Sequence, residues 1–157
     1  IAVSPPLLNS SATFNTFDKK DADNPIKTIN IEINLDKSYS GKEILLSDIY
    51  YDLDKWDIRK DAEIPLNSLA QLLKDNPRIR IQLSSHTDCR SSDSYNLDLS
   101  NKRAKSAVDY LIRNGIAQER LIPKGFGESE LIKKCICEQC TEEEHQANRR
   151  TTFTILN

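Results

Sequence analysis

No stretch of this chain approaches the ~20 apolar residues that a helix needs to cross a bilayer, and no basic-then-apolar leader stands at its start. Methionine is absent altogether and the first residue is Ile1, which predicts a fragment cut from a longer protein. Positive charge shows no excess. The 22 Lys and Arg are scattered among 24 Asp and Glu, leaving a net charge of −2 without a long basic run. That removes the electrostatic footprint of phosphate-backbone binding, and with it nucleic acid as a partner. Histidine is scarce: only His86 and His145 occur, too few for a hydrolase's metal triad. Cys89, His86 and Asp88 are the residue types of a thiol hydrolase, but their crowding within four residues denies nucleophile, base and orienter separate positions in space. No catalytic residue, resident metal or cofactor is expected.

What is present suits a single globular domain with a short extra piece: 157 residues, 38% of them hydrophobic and 29% charged. Residues 1–25 are rich in Ser, Asn, Asp and Pro with few apolar anchors, which predicts loop or linker. Residues 28–35 then alternate strictly, with Ile29, Ile31, Ile33 and Leu35 on one side, a strand pattern that Asp36 to Gly41 breaks. The break divides the chain into 1–38, a linker, the last strand of a preceding β module or an extra N-terminal edge strand, and a main domain at 42–157.

Within the main domain, residues 44–53 carry apolar and aromatic side chains at strand spacing. Asp61 is placed to cap a helix that buries Leu66, Leu69, Ala70 and Leu73 and stops before Asn76 and Pro77. Ile79, Ile81 and Leu83 alternate on the next strand. A Ser-rich loop follows Asp88, and a second helix presents Leu97, Ala104, Ala107, Val108, Leu111 and Ile112 along one side before Gly115 ends it. Residues 121–124 predict a third strand, residues 125–127 a turn, and residues 151–155 a closing strand. The order is β-α-β-α-β-β, an α+β fold of helices packed on a mixed sheet.

Four cysteines form an even set, Cys89 alone and Cys135, Cys137 and Cys140 in a cluster, which fits either two disulfides in an oxidising compartment or a metal knot. Cys135 and Cys137 are too close along the chain to bond comfortably. The favoured pairing is therefore Cys135 with Cys140 and Cys89 with Cys137. A zinc site on these thiolates, with His86 or His145, is the rival, though the paired Cys-x-x-Cys spacings that mark such sites are missing.

Asp88, at a strand's end, and Arg103, on the following helix, supply one carboxylate and one guanidinium suited to gripping a small zwitterion by both charges. A structural ion pair is the plainer alternative. Similarly, Trp56 reads equally as a lid on a helix or a sugar platform, and His86 as a strand-end side chain bonding the backbone.

Six motifs lie in order along residues 42–157: residues 50–55, His86-Thr87-Asp88, residues 95–100, Arg103-Ala104, residues 125–128 and Asn148-Arg149-Arg150. Together they resemble the OmpA-like C-terminal domain family, which includes peptidoglycan-associated lipoproteins and MotB stator domains. The insertion ending in residues 141–146 resembles the Bacteroidetes branch. The resemblance implies non-covalent binding of peptidoglycan through the meso-diaminopimelate of its stem peptide. It makes Asp88 and Arg103 the gripping acid and base, with Thr87, Asn96, Leu99, Asp52 and Arg149 around the same groove. It also implies a periplasmic location at the outer membrane and cell wall, with other envelope proteins as partners through the parent chain. A disulfide-stabilised adaptor for a protein partner is the alternative function. One departure concerns the loop: the family commonly has Gly before His-Thr-Asp and again shortly after, where this chain has Ser85 and then Arg90, Ser91 and Ser92. A different loop path after Asp88 is expected.

Overall fold

Residues 10–16, 27–33, 40–46, 49–52 and 54–156 are described by a computed structural model. Their strands form one six-stranded sheet: β1 Ser10–Thr16, β2 Lys27–Ile33, β3 Glu43–Leu46, β4 Arg80–His86, β5 Leu121–Gly127 and β6 Thr151–Leu156. The spatial order is β2-β1-β3-β6-β4-β5. Helix α1, Lys60–Asp75, connects β3 to β4, and α2, Asp93–Arg113, connects β4 to the parallel strand β5. The last strand, β6, enters between β3 and β4, antiparallel to both, with Phe153 opposite Ile44 on one side and Leu83 on the other. This is the mixed α+β arrangement that the alternating pattern predicts.

Residues 10–16 fall in the stretch that composition assigns to loop, yet they form β1, paired with β2 on one side and β3 on the other. The remainder of residues 1–38, apart from 27–33, lies outside the described residues. Strand β3 is shorter than the predicted 44–53. Leu46 pairs with Thr151, the first residue of β6, so the ladder ends where its partner begins. Beyond it, Ile49 to Asp52 run without strand pairing.

Apolar spacing sets the helices. In α1, Leu66, Leu69, Ala70 and Leu73 are buried as expected, joined by Ala62 and Leu72. Asp61 is not its cap: Arg59 holds that position without a side-chain bond, while the Asp61 carboxylate, within the first turn, accepts from the Ala62 amide at 3.1 Å. There it still favours the positive end of the helix dipole. At the other end Arg120 donates to the carbonyls of Leu73, Asn76 and Ile79, satisfying orphan acceptors.

In α2 the buried stripe runs Asn96, Leu99, Ser100, Arg103, Ala104, Ala107, Val108 and Leu111. Leu97, expected inside, is 47% exposed. The stripe keeps helical spacing but turns polar toward the N-terminus, where it leaves the core and meets the site. Strand β5 continues through residues 125–127, where a turn is predicted. A Cβ at Gly125 would lie 2.6 Å from the carbonyl carbon of Ser100, so only glycine lets strand and helix approach this closely. The insertion contains a further helix, α3, Glu142–Asn148, opened by a reciprocal capping box between Thr141 and Glu144. The core beneath consists of Phe153, Ile44, Leu66, Leu69, Ile81, Leu83 and Leu111, each fully buried. Each such side chain contributes about 1.5–3 kcal/mol by leaving water.

Candidate functional site

At one end of the sheet, three strand ends converge. The His86 amide donates to Arg150 O at 2.9 Å and the Thr87 amide to Gly127 O at 2.9 Å, tying the exit of β4 to β6 and β5. Asp88 follows directly. Facing it is the polar end of α2, begun by Ser92, whose hydroxyl accepts from the Tyr95 amide. Asn96, Leu99 and Arg103 are spaced by three and four, so they share one face of that helix. The residues before β6 add Arg149 and Arg150.

A small, shallow cleft opens here, lined by Tyr50, Tyr51, His86, Arg103, Gln146, Arg149 and Arg150 among others, with no carboxylate among the described residues of its wall. Arg103 is buried, its Nε donating to Lys55 O at 3.0 Å and its Nη2 to Asp52 O at 3.5 Å, with the guanidinium 4.8 Å from the Tyr51 ring centre. Among the described residues no carboxylate lies within ion-pair distance of it. Burial lowers its pKa from the ordinary arginine value, the Tyr51 and Tyr95 oxygens working in the opposite direction. Burial likewise pushes the Tyr51 hydroxyl up to about 12, so it stays neutral and donates to Arg103 O.

Asp88 is also buried, but its partners are internal cations. Oδ2 accepts from Arg90 Nε at 3.0 Å, Arg90 Nη2 at 2.7 Å and Arg149 Nη1, while Oδ1 accepts from the Arg90 amide at 3.1 Å. Burial raises its pKa, and the bonds from Arg90 and Arg149 outweigh that, holding the carboxyl below its ordinary value and anionic. Asp88 and Arg103 therefore do not form the ion pair that was the plainer alternative. Asp88 meets the cleft through Arg149, which also bonds Glu142 and Gln146 of α3.

The other expected residues divide by what they touch. Asn96 is buried, its amide donating to Asp88 O, Ser91 O and Glu128 Oε2, which braces the loop after Asp88. Leu99 is buried beneath it. Thr87 is buried, and its hydroxyl has no partner among the described residues. The Asp52 carboxylate bonds Arg59 at 2.9 Å, so Asp52 reaches Arg103 only with its carbonyl. His86 bonds a side chain and not the backbone expected of it: Nε2 lies 3.2 Å from Glu43 Oε1, and the ring stacks on Phe126 at 5.1 Å. Trp56 carries Lys102 over its ring at 4.7 Å. Arg90, Glu142 and Gln146 were not singled out by sequence. The substitution of Arg90 where the resemblance has glycine nearby was the available signal.

The four cysteines are paired as favoured, Cys89 with Cys137 across 48 residues and Cys135 with Cys140 across 5, with Cα separations of 5.8 and 5.5 Å. Sulfurs bonded to each other are not thiolate donors, so the zinc alternative has no ligands in this state.

Comparison with known proteins places the chain by family and fold. The sequence model of the OmpA family matches residues 50–149. A peptidoglycan-associated lipoprotein of Brucella melitensis is 33% identical over 109 residues, covering 69% of this chain and 62% of that protein. The chain thus spans under two thirds of that relative's length. Among solved structures, the peptidoglycan-associated lipoprotein from Burkholderia pseudomallei superposes with a TM-score of 0.62 at 25% identity, covering 68% of this chain and 87% of that one. The cell wall anchor of the T6SS from Pseudomonas aeruginosa shares the fold, with a TM-score of 0.61 at 20% identity over 73% of this chain and 80% of its own.

Proposed function

The chain belongs to the OmpA family, and from that premise we propose that its cleft binds peptidoglycan non-covalently through the meso-diaminopimelate of the stem peptide. In doing so it anchors a larger envelope protein to the cell wall, in the periplasm beside the outer membrane. Binding, not turnover, is the activity.

The observation that carries this reading is Arg103. Among the described residues this buried guanidinium bonds main-chain carbonyls and has no carboxylate at ion-pair distance, the Asp54 carboxylate acting on it only from farther away, so it lacks the close counter-charge that normally accompanies burial. A ligand carboxylate supplies it, and the planar fork of arginine takes a carboxylate by two parallel bonds. Diaminopimelate carries an ammonium and a carboxylate on the same side-chain carbon, so the anionic Asp88 is suited to the ammonium while Arg103 takes the carboxylate. Asn96 holds the loop after Asp88 against the helix, and Arg149 bonds Asp88 and lines the cleft with Arg103.

Charge-assisted bonds are worth about 1.5–3 kcal/mol each. Against the entropy of association this gives a single-site affinity of about micromolar or weaker. Retention on the wall then comes from rebinding along a dense polymer. In the adaptor alternative a protein occupies the cleft. The test that separates them is co-sedimentation with purified sacculi: the wild-type chain pellets, and Asp88→Asn and Arg103→Ala remain in the supernatant. Undiminished pelleting of both variants would rule out this site.

A further inference from the structure

Resting on that reading, we infer that Arg90 is an internal competitor for the ligand's ammonium, occupying the Asp88 carboxylate in the empty site and lowering the affinity of this chain.

The argument begins with donor counting. Oδ2 of Asp88 already accepts three bonds, two from the Arg90 guanidinium and one from Arg149, whereas Oδ1 accepts only the Arg90 main-chain amide. Together these four bonds take up the roughly four acceptor sites of a carboxylate, so an incoming ammonium has to displace at least one of the donors. The two side-chain cations are not equally free to leave. Arg149 is only 25% exposed and is clamped by Glu142 and Gln146 as well as Asp88. Arg90 is 47% exposed and has one further partner, Glu142, itself 64% exposed. Surface ion pairs of this kind are weak and readily exchanged with water. Arg90 is therefore the group that yields.

Two features show that its presence over Asp88 is built in. The Arg90 amide bonds Oδ1 at 3.1 Å, a turn that fixes the side chain's origin beside the carboxylate. The neighbouring disulfide, Cys89 to Cys137, ties the same loop to the insertion. Arg90 cannot drift far, so it competes at high local concentration. The arrangement makes Arg90 a specificity residue: it sets how strongly a ligand's positive end must bind to enter.

The competitor also acts on one end of the ligand only. Arg103, which receives the carboxylate, shares no hydrogen-bond partner with Arg90. Removing the Arg90 side chain thus frees the acid while leaving the base as it was, and it relieves repulsion between Arg90 and the bound ammonium.

Calorimetric titration of the disulfide-intact chain tests this, with the tripeptide L-Ala–D-Glu–meso-diaminopimelate and the same peptide acetylated on its side-chain amine as probes. Arg90→Ala is expected to bind the free-amine tripeptide about tenfold more tightly than wild type, equivalent to about 1.4 kcal/mol. It is expected to show no gain for the acetylated peptide, whose ammonium is gone. Arg90→Lys should fall between, because it keeps the charge but loses the two-pronged grip. Weaker or unchanged binding by Arg90→Ala, or an equal gain for both peptides, overturns the competitor while leaving the wall-binding reading in place. Failure of wild type and Arg90→Ala alike to bind either peptide overturns both.

Discussion

Arg103 Nε donates to the main-chain carbonyl of Lys55 across 3.0 Å, so the cation proposed to read the ligand also holds the segment that walls its own cleft. Binding and local structure are joined at this residue. Replacing Arg103 by Ala deletes that bond, the weaker one to Asp52 O and the contact with the Tyr51 ring. Arg103→Ala is expected to lose sacculus binding and about 1–2 kcal/mol of stability. Arg103→Lys retains the charge without the fork. Its binding should fall with a smaller stability loss, a split that thermal melts and tripeptide titration resolve. Full binding by Arg103→Lys would show that charge alone, without bidentate geometry, suffices.

Ligand choice follows from the same guanidinium. A stem peptide with lysine in place of diaminopimelate keeps the ammonium and lacks the carboxylate. Soluble stem peptides of the diaminopimelate type should displace the chain from sacculi at concentrations about tenfold lower than the lysine type, the factor that 1.4 kcal/mol represents. Equal displacement would place recognition elsewhere on the polymer.

The two disulfides should be visible in solution. Protein prepared under oxidising conditions is expected to lack four hydrogens relative to its fully reduced mass, two per bridge. Digestion should yield Cys89 linked to Cys137 and Cys135 linked to Cys140. The longer bridge closes 48 residues, which corresponds to roughly 4 kcal/mol of restrained unfolded-chain entropy. Because it also holds the loop carrying Arg90, Cys89→Ser with Cys137→Ser should change tripeptide affinity as well as the melting point. An altered melting point with identical affinity would show that the bridge serves stability only.

Acid lability is expected from a carboxylate behind the cleft wall, partnered with His86 of that wall. Glu43 is partly buried, and burial raises its pKa. Bonds from His86 and Thr152, with Arg150 nearby, outweigh this and bring it down from 4.5 to about 2. A depressed carboxylate contributes stability that is complete above its unfolded pKa and lost as pH falls through the folded one. That places the loss between about pH 5 and 2, with an upper bound of roughly 3 kcal/mol before solvent screening is subtracted. His86, lowered mainly by burial, acts in the same direction because the unfolded chain takes up its proton more readily. Denaturant titrations across this range should show Glu43→Gln losing less stability on acidification than wild type. Parallel losses would assign the acid response to other carboxylates.

The order of elements in the main domain is written in local patterns: alternation in residues 79–83 and 151–155, and helical spacing of Leu66, Leu69, Ala70 and Leu73. Each depends on neighbours a few positions away, which a sequence displays directly. The short helix α3 has a local signal too, since Thr141 and Glu144 stand at capping-box spacing. Strand β1 was not, because a Ser- and Asn-containing segment becomes a strand only when β2 and β3 offer it partners on both sides.

The candidate site shows the same division. That Asp88 and Arg103 matter could be read from their place at a strand end and on the next helix, together with the ordered motifs of the family. What occupies them could not. Arg149 meets Asp88 from 61 positions away and Lys55 meets Arg103 from 48. Such pairings depend on where the strand ends converge and on how far the bridge between Cys89 and Cys137 draws the insertion in. The sequence by itself determined the helices α1 and α2, the alternating strands of the main domain, the cysteine set and the charged residues. Tertiary structure alone decided that Asp88 is neutralised from within while Arg103, among the described residues, has no carboxylate at ion-pair distance, because ion pairs at close range are fixed by folded distance and not by spacing along the chain.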